Sequence, residues 1–344
     1  MTLTIKKLLI IGLFIFTSAA QVLAKTDSPT AALEPIKIVA PNYPLGAARK
    51  KIQGMVKVLF NVYPDGSTRD IFIVDDFPKD VFVKAAVKAL VQYQFEPLDA
   101  AKVNSEIPYQ SATQTISFKL SHSSGFFNPA QRDYLKKTKK LALQGDLKAK
   151  KILVLILNIF PDDSEIIEKH YIDQWMQELA EKGDAEIQYL YAYSFSALNK
   201  QEAFNWLLKS ALKNYAKAQI SLYQYIKYNE INNTSGHNAF YWLLQSLKNG
   251  NASAGIVYAK EIIDNDKASE KDVKNALNYL EKYAKKLGNT PQFFQYKALL
   301  LDKTGHYTNA YAQIKLAIKH AKKSKWNLDD LKQQKKAIQQ HKKG

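Results

Sequence analysis

The residues of this sequence that could carry out chemistry are its acidic side chains and its histidines. A metal or acid–base site needs several such groups at a fixed spacing. The six histidines stand apart and form no His-x-x-x-His pair: they are His122, His170, His237, His306, His320 and His341. The chain has no cysteine, which excludes thiol nucleophiles, disulfide frameworks and cysteine-based metal centres.

The densest polar cluster follows Pro161 and comprises Asp162, Asp163, Glu165, Glu168, His170 and Asp173. Acidic side chains favour the positive N-terminal end of a helix, so the cluster predicts a helix start, with a metal site as the alternative. Asp264-Asn265-Asp266 lacks the glycine and the terminal glutamate of a calcium loop. The sequence has no glycine-rich phosphate loop and no Gly-x-Ser-x-Gly elbow. We therefore expect no enzymatic activity, no cofactor and no metal.

The composition indicates a folded, basic protein of about two domains. Of 344 residues 46% are apolar, and 49 lysines and arginines outnumber 32 acids, for a formal charge of +17. Residues 1–24 predict a secretory signal peptide, because Lys6 and Lys7 precede an apolar core at residues 8–16 and Val22-Leu23-Ala24 fits the small-x-small cleavage rule. Ala20 is a second candidate cleavage site. We expect a periplasmic protein; the alternative is an inner-membrane anchor at residues 8–24.

After a short linker at residues 25–35, residues 36–122 predict a small α+β domain. Val56, Val58, Phe60 and Val62 alternate on one face of a strand, and Asp65-Gly66 predicts a hairpin turn into a second strand at residues 68–75. Apolar residues at helical spacing then run from Phe82 to Tyr93, with Asp80 expected early in the helix. A third strand at residues 112–120 completes a β-β-α-β order.

Three motifs lie in order along this domain: Pro41-Asn42-Tyr43-Pro44, the G-x-V-x-V-x-F-x-V-x-P-D-G run of residues 54–66, and Tyr93-Gln94-Phe95-Glu96-Pro97. Together they resemble the C-terminal domain of the TonB family, the energy transducers of outer-membrane transporters. The resemblance covers about a quarter of the chain.

The resemblance implies that an extended peptide adds beside the last strand by main-chain hydrogen bonding, close to the Tyr-Pro motif. The partner would be an outer-membrane TonB-dependent receptor, through its TonB-box peptide, or a transducer complex. Carried over to this sequence, the partner-binding residues are Asn42, Tyr43, Thr113, Gln114, Thr115, Ile116, Ser117, Phe118 and Lys119. Two structural alternatives remain open: Tyr43 and Pro44 form a packed corner, and the rest of the chain covers the edge strand.

The sequence also departs from the family. A TonB transducer has a membrane anchor and a long Pro-rich spacer, whereas the 16 residues from Lys25 to Ala40 reach at most about 55 Å. The first 24 residues contain no histidine or acid that could couple to proton flow. We therefore expect an interaction factor linked to TonB-dependent transmembrane transport that does not itself transmit force. The alternative is an envelope-maintenance scaffold whose repeats bind a protein or cell-wall partner.

Residues 123–320 predict α/α helical repeats of about 36–38 residues, an all-α solenoid. Turns of glycine and a polar residue recur at Gly145-Asp146, Gly183-Asp184, Gly250-Asn251 and Gly288-Asn289, with a cryptic member near Asn214-Tyr215. The run Ala203-Phe204-x-Trp206-Leu207-Leu208 returns 36 residues later as Ala239-Phe240-Tyr241-Trp242-Leu243-Leu244. These features resemble tetratricopeptide-like repeats of the short Sel type. The tyrosine and tryptophan stripes predict packing between helices, with a concave groove for a peptide or glycan as the alternative.

Several helix starts follow from local patterns. Asn128-Pro129, Thr290-Pro291 and the pair Ser269 and Asp272 predict N-caps. Residues 321–344 predict a basic C-terminal helix and tail, with Asn327 as its cap. Nine lysines from residue 319 onward outnumber Asp329 and Asp330. This segment predicts a solvated capping helix; the alternative is attraction to an anionic envelope surface. We expect no nucleic-acid partner, since the chain is predicted to be exported and carries no such motif.

Overall fold

The computed structural model of the chain describes positions 33, 35–98, 109–120, 127, 129–159, 167–195, 199–228 and 231–342. The predicted signal peptide, the cap at Asn128 and the acids at positions 162, 163 and 165 lie outside these residues. No helix in the described ranges combines the length and apolar character needed to cross a membrane.

The N-terminal module consists of short strands and two helices. Its elements are β1 (Pro35–Lys37), α1 (Leu45–Arg49), β2 (Gly54–Val62), β3 (Thr68–Phe77), α2 (Val83–Leu90), β4 (Gln94–Phe95) and β5 (Gln110–Phe118). One antiparallel sheet has the order β3-β2-β5, and β1 pairs with β4 in a second, smaller sheet. The predicted β-β-α-β order is confirmed, while β1, α1 and β4 were not predicted.

Helix α2 covers one face of the three-stranded sheet. Alternate residues of a strand point to the same face, and Val56, Val58 and Phe60 of β2 are accordingly buried. The Thr68 hydroxyl donates to the carbonyl of Leu90 at the end of α2. Just before α2, the ring of Phe82 stacks on that of Phe118 in β5, with 4.3 Å between centroids. These contacts form one apolar core between helix and sheet.

Helix α2 is shorter than the apolar pattern predicts. The stripe continues to Tyr93, but the helix ends at Leu90, and the N–H of Tyr93 donates to the carbonyl of Leu90 in the turn that follows. The chain then extends as β4, and the N–H of Phe95 donates to the carbonyl of Gly66 in the hairpin, at 2.9 Å. Asp80 was expected in the first turn of this helix, but it lies before the helix and has φ +63°.

From residue 129 onward the described chain is helical, and each helix packs against the next along the chain. The helices are α3 (Pro129–Leu143), α4 (Leu147–Ile159), α5 (Lys169–Glu181), α6 (Ala185–Phe195), α7 (Lys200–Leu212), α8 (Ala216–Tyr228), α9 (Ala239–Lys248), α10 (Ala254–Asp264), α11 (Glu270–Leu287), α12 (Pro291–Lys303), α13 (Tyr307–Lys323) and α14 (Asp329–His341). The predicted solenoid of α/α hairpins is confirmed. Helix α14 packs on α13 and so completes the last hairpin.

The repeats share hydrogen bonds at equivalent positions. Ser210 Oγ donates to the carbonyl of Ala185 at 2.6 Å, and Ser246 Oγ, 36 residues later, donates to that of Ala216 at 2.7 Å. Asn214 has φ +64°, in the turn between α7 and α8 where neighbouring hairpins use glycine. Asparagine tolerates this left-handed conformation better than most residues. The cryptic turn is therefore confirmed.

Two predicted helix caps are confirmed and one is shifted. Ser269 and Asp272 form a reciprocal capping box at α11, and Thr290 caps α12 with Pro291 in its first turn. The prediction for Asn327 was wrong by one residue. Asn327 Oδ1 accepts from the N–H of Asp329, but Leu328 occupies the N-cap position of α14.

The helices pack against the face of the sheet opposite α2. The sheet and the repeats enclose a small cavity between them. It is lined by Leu59, Phe72 and Val74 of the sheet and by Tyr189 of α6 and Ile220 of α8. Helices α4 and α10 also contact β3. The Tyr189 and Tyr193 rings lie edge to face, 5.1 Å apart. The aromatic stripe therefore packs inside the protein here, and the side of the repeats that holds it is occupied by the chain's own sheet.

Candidate functional site

The outer edge of β5 is the region where a partner strand could pair. In an antiparallel pair, successive residues direct their backbone N–H and C=O groups alternately to the two sides of the strand. Tyr63, directly after β2, donates its N–H to Ser67 across the hairpin at 3.0 Å, so odd-numbered residues of β2 face β3. The even-numbered residues of β2 therefore face β5.

The register then identifies the outward groups of β5. β2 and β5 pair without a shift from Gly54 opposite Phe118 to Val62 opposite Gln110, so even-numbered residues of β5 bond to β2. Ser111, Thr113, Thr115 and Ser117 thus direct their N–H and C=O groups away from the sheet. No described strand pairs with this side of β5. The Thr115 carbonyl receives one local contact, a 3.3 Å bond from the Gln114 side chain.

The predicted partner-binding residues divide into two sets. Thr113, Thr115 and Ser117 carry outward backbone groups, whereas the side chains of Gln114, Ile116 and Phe118 are buried and the backbone groups of these three residues face β2. Lys119 lies just beyond the strand. Ser111 was not among the predicted residues, because the strand was predicted to begin at residue 112 and it begins at Gln110. The Ser111 hydroxyl donates to Asn61 Oδ1 at 2.8 Å.

Tyr43 and Asn42 occupy different environments. The Tyr43 hydroxyl donates to the carbonyl of Ile52 at 2.5 Å, and its ring meets the rings of Phe82 and Phe118 edge to face at 5.5 and 5.9 Å. Burial raises the pKa of its hydroxyl. Tyr43 therefore anchors the chain against the end of β5, and Asn42 beside it is exposed.

The opposite edge of the sheet, β3, is covered by the helical repeats. Lys217 Nζ of α8 donates to the carbonyl of Val74 at 2.8 Å. Gln292 of α12 bonds both to the backbone N–H of Asp70, at 3.2 Å, and to its carboxylate, at 2.7 Å. Both backbone groups lie where the register between β2 and β3 shifts, between Ile73 and Asp75 and between Arg69 and Phe72. Side chains from the repeats thus take the place of a neighbouring strand along β3.

The β2–β3 hairpin is held by the loop between α13 and α14. Asp65 Oδ2 accepts from the backbone N–H of Asn327 and from Arg69 Nη2, both at 2.9 Å. The Arg69 guanidinium lies over the rings of Tyr63 and Trp326, 4.5 and 4.3 Å from their centroids. These contacts join residues about 260 positions apart and clamp the hairpin to the last helical hairpin.

We expect Asp65→Asn to lower the free energy of unfolding by about 1–2 kcal/mol at pH 7. Burial alone would raise the pKa of Asp65, but Arg69 and hydrogen bonds from Ser67 and Asn327 outweigh it and lower the pKa below its ordinary value of 3.8. A carboxyl with a lowered pKa contributes stability above its unfolded pKa, and this contribution is lost as pH falls through the folded pKa. We therefore expect the free energies of unfolding of the parent and the variant, measured in urea, to differ at pH 7 and to converge below pH 4. A difference that does not depend on pH would contradict this.

The polar clusters do not assemble a metal site in the described part of the chain, where no three metal-ligating side chains converge. His170 and Glu168 make a 3.3 Å contact at the start of α5, and both are exposed. His341 contacts Asp302 at 3.0 Å, and His237 stacks on Tyr241. The acids of the cluster at positions 162, 163 and 165 lie outside the described residues.

Comparison with known proteins finds relatives of the small N-terminal domain. Residues 39–120 match the family model for the C-terminal domain of the Gram-negative bacterial TonB protein. The chain is 31% identical over 88 residues to Protein TonB of Pseudomonas aeruginosa, which covers 26% of this chain and 25% of that protein. The chain thus spans a quarter of the length of this relative. The predicted TonB resemblance is confirmed for this domain.

Two solved structures are also similar. The solution structure of the TonB C-terminal domain of Pseudomonas aeruginosa matches with 29% identity and a TM-score of 0.24, over 27% of this chain and 92% of that one. A protective antigen of uropathogenic Escherichia coli with an SLR fold matches with 16% identity and a TM-score of 0.35, over 61% of this chain and 56% of that one.

Proposed function

We propose that this protein binds an extended segment of an envelope protein by strand addition along the outer edge of β5, as a non-catalytic factor linked to TonB-dependent transmembrane transport. The observation that carries the proposal is the asymmetry of the sheet: helices of the same chain cover β3, while β5 directs a row of backbone groups outward. A partner strand can satisfy these groups. A TonB C-terminal domain supports a partner from the envelope, such as a TonB-dependent receptor or a transducer complex.

The repeats cover β3 and leave β5 as an edge with which no described strand pairs. A sheet with two open edges is prone to pair with other copies, and covering one edge reduces that risk. The side of the repeats that faces the sheet is occupied, so the structure favours the sheet edge over a groove in the repeats as the place for a peptide. Export to the periplasm fits this role and is part of the proposal.

The experiment uses the mature chain, residues 25–344, and synthetic peptides from the N-terminal segments of TonB-dependent receptors of the same organism. Binding is measured by fluorescence anisotropy, and amide hydrogen exchange by NMR with and without peptide. We expect new protection at Ser111, Thr113, Thr115 and Ser117 and little change at the even-numbered residues between them, which already bond to β2. Protection that does not alternate along β5 would contradict strand addition.

Matched substitutions at the outer edge test the same point. Thr115→Pro with Ser117→Pro removes two outward N–H donors, and we expect at least a tenfold loss of peptide affinity. Thr115→Ala with Ser117→Ala keeps both N–H groups and should retain affinity within about twofold. The circular dichroism and melting of both variants must first match those of the parent. Equal affinity of the two variants would show that the partner binds elsewhere.

A further inference from the structure

Three lysines converge on one aromatic ring in the last helical hairpin. The ammonium groups of Lys315, Lys335 and Lys342 lie 5.9, 5.6 and 5.7 Å from the centroid of the Tyr311 ring. Lys315 follows Tyr311 by one turn of α13, Lys335 lies on α14, and Lys342 directly follows the end of α14. Attraction to the ring face offsets part of the repulsion between these like charges.

Helices α13 and α14 place no acid beside this group, the Tyr311 cluster, and Asp302 of α12 contacts His341, next to Lys342, at 3.0 Å. Helix α13 has four lysines and no acidic residue, and the acids of α14, Asp329 and Asp330, lie in its first turn. None of the three lysines makes an ion pair with any residue that the structure describes. Lys315 and Lys342 are exposed, while Tyr311 and Lys335 are half-buried. The positive charge of the cluster is thus left for a ligand from outside the chain.

The same charge continues along the outer face of α13. At 100° per residue, Tyr311, Lys315, Lys319 and Lys322 fall within an arc of about 80°, away from the buried Ile314 and Ala317. All three of these lysines are exposed. The stripe runs for about 16 Å along the helix axis. A row of cations this long exceeds the reach of a single phosphate ion and suits a surface that presents many phosphates side by side.

We propose that the Tyr311 cluster and the lysine stripe of α13 form a docking surface for a bilayer rich in anionic phospholipids, with Lys315, Lys335 and Lys342 holding one headgroup phosphate. Lysine ammonium groups bind phosphate as point charges, and a basic stripe next to an anionic bilayer adds attraction with each lysine. The surface belongs to the last hairpin and leaves β5 of the small domain unused. It therefore does not depend on the proposed partner-binding function.

The test is co-sedimentation of the mature chain, residues 25–344, with sucrose-loaded vesicles at 100 mM salt. One set contains phosphatidylcholine with 30% phosphatidylglycerol, and the other contains phosphatidylcholine alone. We expect binding to the first set, little binding to the second, and a loss of at least tenfold in the triple variant Lys315→Gln, Lys335→Gln, Lys342→Gln. The control variant Lys84→Gln, Lys248→Gln, Lys274→Gln removes the same charge from exposed positions elsewhere and should bind within about twofold of the parent.

A third variant tests whether binding depends on the Tyr311 cluster or on the positive charge spread along α13. Lys319→Gln, Lys322→Gln, Lys323→Gln removes three lysines of α13 outside the ring and should weaken binding less than the cluster variant does. Equal losses in all three variants would overturn the site. Absence of binding to phosphatidylglycerol vesicles would overturn the docking surface itself. Full displacement by 10 mM inorganic phosphate at constant ionic strength would assign the cluster to a free phosphate and overturn the bilayer as its occupant.

Discussion

The variant Gly66→Ala should lower the free energy of unfolding by about 2–4 kcal/mol. Gly66 has φ +73°, where an alanine costs about 1 kcal/mol of backbone strain. A Cβ at this position would also lie 2.1 Å from the carbonyl oxygen of Phe95, a backbone atom that cannot move aside alone. Relieving that overlap requires moving β4 away from the hairpin, and overpacking of this kind costs a further 1–3 kcal/mol. Urea unfolding followed by circular dichroism measures the change.

Gly145→Ala is the matched control for this substitution. Gly145 has φ +98°, but apart from its neighbours in the chain no described residue lies within 4 Å of the Cβ it would gain. The backbone strain is similar while the overlap is absent, so we expect a loss of only about 1 kcal/mol. If both variants lose the same stability, the close approach of Phe95 to the hairpin contributes nothing, and the positive φ alone accounts for the effect.

The variant Lys217→Met should destabilise the protein by about 3 kcal/mol. Lys217 Nζ lies 3.7 Å from Asp75 Oδ1 and also donates to the Val74 carbonyl, and the two charged side chains are only 20% and 15% exposed. Burial lowers the pKa of Lys217 and raises that of Asp75, and each partner opposes the shift of the other. Removing the lysine leaves a largely buried carboxylate without its closest cation, which is the costly way to break such a pair.

A second substitution distinguishes the pair from the loss of one side chain. In Asp75→Asn with Lys217→Met the stranded carboxylate is absent, but Lys57, which pairs opposite Asp75, loses the attraction of that carboxylate. We therefore expect the loss to fall to about 1–2 kcal/mol. Lys248→Met removes an exposed lysine and should change stability by less than about 0.5 kcal/mol. The measurement is the free energy of unfolding in urea at pH 7. Equal losses for Lys217→Met and the double variant would show that Asp75 is not held by Lys217.

The turn at Gly66 shows where prediction from the sequence succeeds. Gly66 was placed in a hairpin turn because Asp-Gly between two alternating runs is a local signal, and the turn was found there. Ser269 with Asp272 and Thr290 with Pro291 are local signals too, and both mark helix starts as expected. The end of α2 at Leu90 was not predicted, because the apolar stripe that continues to Tyr93 is compatible with a longer helix. The extended conformation of Phe95 depends instead on its bond to Gly66.

The TonB-like domain and the helical repeats were thus determined by the sequence itself, since strand alternation, turn residues, caps and repeat spacing act over a few residues or recur at a fixed period. The tertiary structure alone decided which edge of the sheet the repeats cover. Lys217 and Val74 are 143 residues apart, and Gln292 and Asp70 are 222 apart. No periodicity links such positions, because their contact depends on how the solenoid folds back over the sheet. That packing covers β3. The pairing of α14 with α13 in the last hairpin brings lysines from both helices to Tyr311.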